Sequence, residues 1–217
     1  MISLSRFVAP CVTVFALLIP AHDAWCEVAV EVSFGAPDNI FPNTNTTHGW
    51  QFNVTTAIEV THLGLYDRFQ DGFTLAHPVG LWNEAGTLLA QETLGPGSND
   101  LLLDNFRYAS IGGVTAGDDA IVLTPGVTYT VGFFTDLFVQ SDGMVVFDGF
   151  HTINPVIDYL GFGVSDFTDG LEMPTGPSPG SHRWGPNLLF TIVPAPAAAP
   201  LLFIAVAVRR RRSRKTN

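Results

Sequence analysis

Gly49-Trp50-Gln51-Phe52-Asn53-Val54 alternates apolar and polar side chains, which places Trp50, Phe52 and Val54 on one face of an extended strand. Tyr129, Val131 and Phe133 repeat the pattern later in the chain. Further strands are expected at Val28–Phe34, Ile58–Tyr66, Pro78–Trp82, Thr87–Thr93 and Phe106–Ile111. Ala120–Leu123, Met144–Phe147, Leu160–Val164 and Asn187–Val193 read the same way. Helical periodicity is hard to find, and the 21 glycines and 15 prolines break the chain about every eight to twelve residues. Many short strands at such spacing imply an all-β fold, an antiparallel β-sandwich of jelly-roll type. Met173-Pro-Thr-Gly-Pro-Ser-Pro-Gly-Ser181 reads as a loop or flap. Its prolines and glycines work against a regular ladder.

The two ends are of another kind. Arg6 followed by the apolar stretch Phe7–Ala21, with small residues at Ala21, Ala24 and Cys26, reads as a secretory signal peptide. Cleavage after Cys26 puts Ala24 three places before the cut, and cleavage after Ala24 is the alternative. Trp25 argues against a lipoprotein reading of Cys26. At the other end, Pro194-Ala195-Pro196 precedes the apolar run Ala197–Val208, followed by Arg209, Arg210, Arg211, Arg212, Arg214 and Lys215. An apolar segment followed by positive charge has the form of a stop-transfer anchor. The expected division is therefore a signal peptide at 1–26, a β-domain at 27–193 and a tail with a short apolar helix at 194–217. Twelve helical residues span roughly 18 Å against the ~30 Å of a hydrocarbon core.

Composition narrows the function of the body. Both cysteines, Cys11 and Cys26, lie in or at the edge of the signal segment, so an exported domain relies on a packed core rather than disulfides. Thiolate metal sites are excluded with them. Between residues 27 and 196, three arginines stand against nineteen acids, a formal −16. That charge repels a phosphate backbone, and nucleic acid is not an expected partner.

Candidate chemistry is sparse. Asp67-Arg-Phe-Gln-Asp71-Gly72 offers two carboxylates in a Gly-containing turn, the hard donors that calcium prefers, although Asp and Gly are also ordinary turn residues. No other cofactor is expected. His48, His62 and His77 lack zinc-site spacing along any one element. No Gly-x-Ser-x-Gly elbow occurs, Ser110 and Ser165 have no recognisable base, and no catalytic residue is assigned. Trp50 and Trp82 read as core. Trp184, in Ser181-His-Arg-Trp-Gly185, is the indole expected nearer the surface and is the candidate for stacking on a sugar ring.

The tail resembles the PEP-CTERM sorting signal of Gram-negative bacteria, in which Pro-Glu-Pro, an apolar helix and an arginine cluster follow one another. Here Ala195 stands where the glutamate is usual. From about Gly49 to Phe190, the body resembles a β-domain of unknown function that recurs in secreted PEP-CTERM proteins. The residues that carry this likeness include Gly49-Trp-Gln-Phe-Asn-Val54, His77-Pro-Val-Gly-Leu-Trp82, Leu123-Thr-Pro-Gly-Val-Thr-Tyr129 and Gly185-Pro-Asn-Leu-Leu-Phe190. The resemblance implies processing by an exosortase-type enzyme of the inner membrane, with Pro194, Ala195, Pro196 and Arg209 to Arg212 as the signal. It also implies an exported body on the periplasmic or extracellular side, anchored transiently or permanently. The expected function is a non-enzymatic surface or matrix component, with extracellular polysaccharide as a candidate ligand. The alternatives are a secreted hydrolase acting on extracellular polymers and a calcium-stabilised adhesion module.

Overall fold

The computed structural model describes residues 26–33, 38–39, 45–112, 121–135, 142, 144–145, 151–178 and 184–195. The signal segment up to residue 25 and the tail from Pro196 onward, with its expected helix, lie outside the described residues. Among the described residues every regular element is a strand. The first eight are β1 (Glu27–Val28), β2 (Val30–Val32), β3 (Asp38–Asn39), β4 (Thr46–Val54), β5 (Ile58–Tyr66), β6 (His77–Asn83), β7 (Leu88–Leu94) and β8 (Leu101–Leu103). They are followed by β9 (Phe106–Ser110), β10 (Ile121–Leu123), β11 (Tyr129–Thr135), β12 (Met144–Val145), β13 (His151–Ile153), β14 (Ile157–Phe167), β15 (Pro177–Ser178) and β16 (Pro186–Ile192).

Two six-stranded antiparallel sheets enclose the core. One runs β1-β16-β5-β9-β8, with β10 on the free half of the β5 edge, and the other runs β15-β14-β4-β11-β6-β7. The pairs β1–β16, β4–β11, β5–β9 and β6–β7 are nested, each inside the one before along the chain, and alternate between the sheets. Irregular registers at Tyr159/Gly163, Leu81/Trp82 and Leu189/Phe190 bend the strands, as bulges do. β2 pairs with β13 and β3 with β12 in two small ladders.

The core is built from the alternation seen in sequence. Trp50, Phe52 and Val54 of β4 and Tyr129, Val131 and Phe133 of β11 meet Ile58, Val60, Leu63, Leu188 and Phe190 from the opposite sheet. Each fully buried large apolar side chain contributes about 1.5–3 kcal/mol, and this stabilises a body without disulfides. Trp50 also ties the sheets together, its Nε1–H donating to the Pro186 carbonyl at 2.8 Å.

Trp82 departs from expectation. It is buried, but not in the core. Val79 and Leu81 face inward, and Trp82 lies on the other face of the sheet, where Gly49, Gly132 and Gly80 stand in register across three strands. A Cβ at Gly80 would lie 2.5 Å from its ring, and one at Gly132 would lie 3.3 Å from it. Gly80 and Gly132 make room for the indole.

Two polar devices set the topology. β1 leaves the β16 ladder because the Asn187 side chain takes over from it. The carboxamide accepts from Val30 N (3.2 Å) and donates to Val30 O (2.6 Å) and to Tyr108 Oη (3.0 Å). The strand expected at Val28–Phe34 is therefore split, and its second half pairs elsewhere. Between β8 and β9, Asp104 and Asn105 both take positive φ (48° and 67°), the two-residue hairpin geometry that twists with its strands. Within the expected loop of residues 173–181, Pro177–Ser178 forms a short ladder on the β14 edge, where the proline's missing N–H is tolerated.

Candidate functional site

The chain leaves the sheet at one end of β16. Val193 N donates to the Ala57 carbonyl at 2.9 Å, and beyond this bond Pro194 and Ala195 are exposed. The first two residues of the candidate sorting signal therefore stand outside the fold, directly after its last core strand. Pro196 and Arg209, Arg210, Arg211 and Arg212 lie outside the described residues. Among the described residues no helix is long and apolar enough to cross a membrane.

The Asp67 loop is organised around an arginine. Asp67 is 2% exposed and Arg107 is 3% exposed. The Asp67 Oδ2 atom accepts from Arg107 Nε at 2.6 Å and from Gly72 N at 3.0 Å. Three more N–H groups of Arg107 donate to the Ser98, Asp100 and Gln70 carbonyls at 2.9, 3.1 and 3.0 Å. One guanidinium thus joins loop 67–76 to loop 95–100. The expectation that Asp67 and Asp71 form a calcium pair meets a different arrangement, with Asp67 buried against a cation of the protein and Asp71 exposed. Among the described residues no group of three His, Cys, Asp or Glu side chains is placed to hold a metal ion. Sequence reasoning missed Arg107 because its partner lies 40 positions away on another element.

The aromatic candidate is corrected by its burial. Trp184 is 0% exposed. Its ring packs 5.4 Å from Trp50, 4.7 Å from Tyr159 and 4.7 Å from His151, measured between centroids. An indole with no accessible face cannot stack on a pyranose ring. The loop context that argued for the surface misled, because the residues just after Trp184 enter the buried strand β16.

The three histidines do not converge on a site. His48 is buried in β4 beside Phe133, and His62 is half-buried with Nδ1 at 2.9 Å from Thr61 Oγ1. His77, also buried, pairs through Nε2 with Asp142 Oδ2 at 2.8 Å. The same carboxylate accepts from Thr74 N at 3.0 and 3.3 Å, which fastens it to the start of β6. This pair was not legible in sequence, because Asp142 belongs to no strand pattern. It has the geometry to fix one imidazole orientation, and Phe73 and Phe133 pack around it.

Among the described residues, three groups have displaced titrations. Burial pushes the Tyr108 hydroxyl up, with the Asp104 charge adding to it. Backbone N–H donors of Thr175 and Gly176, with a smaller contribution from the Thr175 hydroxyl, hold the Asp166 carboxyl down. Burial also lowers His62 below its ordinary value of 6.5. In the window between its folded and unfolded values the unfolded chain binds more protons at residue 62, so stability falls as pH drops below about 6.5 and levels off below the folded value. Thermal melts of the wild type and His62→Gln between pH 7.5 and 5 should show a shallower decline for the variant. Parallel curves would refute the assignment.

Comparison with protein-family models, with curated proteins and with solved structures finds no match to this chain.

Proposed function

We propose that the chain is an exported cell-surface or matrix protein without catalytic activity, routed by its signal segment and by the PEP-CTERM-like tail. One observation supports this above the rest. Pro194 and Ala195 are exposed immediately beyond the last hydrogen bond of the sheet, at Val193. An extended, accessible segment is what a processing enzyme needs, since a motif inside the β16 ladder would have to unfold first. The nested strand pairs support the jelly-roll reading of the sandwich. Polysaccharide binding belongs to the proposal as a property of the body, through groups other than Trp184.

Intact-mass spectrometry of protein recovered by fraction from native cells and culture fluid tests the reading. A species ending between residues 194 and 197 outside the inner membrane is the expected result. A single membrane-bound species ending at Asn217 in every fraction would overturn processing and leave a permanently tethered envelope protein.

A further inference from the structure

We infer that the end of the sandwich at which β1 begins and β16 ends is a membrane-facing surface, held against the anionic inner membrane until the protein is processed. This rests on the proposed routing through the tail, with the tail inserted in the membrane until it is processed. β1 and β16 are adjacent and antiparallel, with Glu27 opposite Phe190, so the start of the first and the close of the last lie at the same end. The apolar stretches Phe7–Ala21 and Ala197–Val208 are therefore both attached at this end. The leash is short. Val193 is pinned to Ala57, and the four steps from Val193 to Ala197 reach at most roughly 14 Å even when fully extended. β16 is an interior strand of its sheet, so the leash leaves from within the end face rather than from a sheet edge.

The composition of that face fits contact with a bilayer. Among the described residues, the connections that meet there are 55–57, 84–87, 124–128, 154–156 and 193–195, and together they contain one charged side chain, Glu84. Threonine, proline, alanine and valine make up most of the rest. The connections at the far end, 67–76, 95–100 and 104–105, carry Asp67, Arg68, Asp71, Asp100 and Asp104. Pressing charged groups against the interface strips their hydration at a cost, and the described near-end connections carry fewer of them than the far-end ones. Glu59 and Asp158 lie on the strands close to the near end rather than in its connections, and the Glu27 carboxylate is held there by Asn154 Nδ2, which donates to it at 2.9 Å. The nine residues of β4 put the charged loops about 30 Å further from the surface, several times the ~8 Å distance over which salt screens charge. The end with the less charged connections thus meets the lipid, and the more densely charged loops are held away from it.

The test uses the chain with its tail in phosphatidylethanolamine–phosphatidylglycerol vesicles, with Cys11 and Cys26 replaced by serine. Single cysteines at T56C or T124C report the near end, and those at D71C or N99C report the far end. Each carries a fluorophore, and a nitroxide on the lipid headgroup quenches it. Quenching at least threefold stronger at residues 56 and 124 than at 71 and 99 is expected. Equal or reversed quenching in protein that floats with the vesicles would overturn the inference and leave the anchor intact. Protein that does not float at all would overturn the anchor reading and the inference with it.

Discussion

Arg107→Met is expected to cost about 3–5 kcal/mol, because it leaves the buried Asp67 carboxylate without its counter-charge. Three carbonyls, of Gln70, Ser98 and Asp100, lose their guanidinium donors in the same step. For a domain of this size the melting temperature should fall on the order of 10 °C. Adding Asp67→Leu should recover part of the loss, since an apolar pair no longer strands a charge. The same melts separate the arginine from a calcium ion as the organiser of this loop. With the loop held as described, a chelator should leave the wild-type midpoint where it is. A fall of less than about 2 °C for Arg107→Met, or a comparable fall on chelation, would contradict this account. Loosening of loop 95–100 would also free β8, a sheet edge whose three leucines are exposed, so aggregation is expected to accompany the loss.

Trp184→Ala should be of similar size, about 3–5 kcal/mol, as for other fully buried large aromatics. The substitution opens a cavity against Trp50, Tyr159 and His151. Trp184→Phe should cost less, because it keeps an aromatic ring in contact. A surface stacking residue would behave in the opposite way, with retention on an envelope glycan abolished and the melting midpoint unmoved. Thermal melts and glycan pull-down on the same samples tell the two roles apart. An unshifted midpoint with lost retention would return Trp184 to the surface.

Much of the framework was legible residue by residue. Ile58–Tyr66 begins and ends where its apolar run does, and the inward face of Trp50, Phe52 and Val54 follows from alternation alone. These are local signals, in which side-chain period and turn residues act over a few positions. Trp82 lies beyond the reach of such local signals. Its burial was legible, but the room for it outside the core was not, because that depends on Gly80 of its own strand and Gly132 brought beside it by the neighbouring one. Leu101–Leu103 was missed because three exposed leucines in a row carry no period of two. The candidate site divides in the same way. The Pro194-Ala195 junction was visible as a motif, but its exposure is a property of the sheet that ends beside it.

By itself the sequence determined the class of fold, the acidic and cysteine-free body and the two flanking apolar segments. Each of these depends on composition or on neighbours along the chain. Tertiary structure alone decided that Asp67 meets Arg107, that Asp142 meets His77 and that Asn187 replaces a strand at Val30. It also decided that Trp184 is core and that the start of β1 and the close of β16 lie at one end. Those outcomes rest on contacts between distant positions. A buried polar group takes whichever partner the packing of two sheets brings to it, and no spacing along the chain encodes that partner.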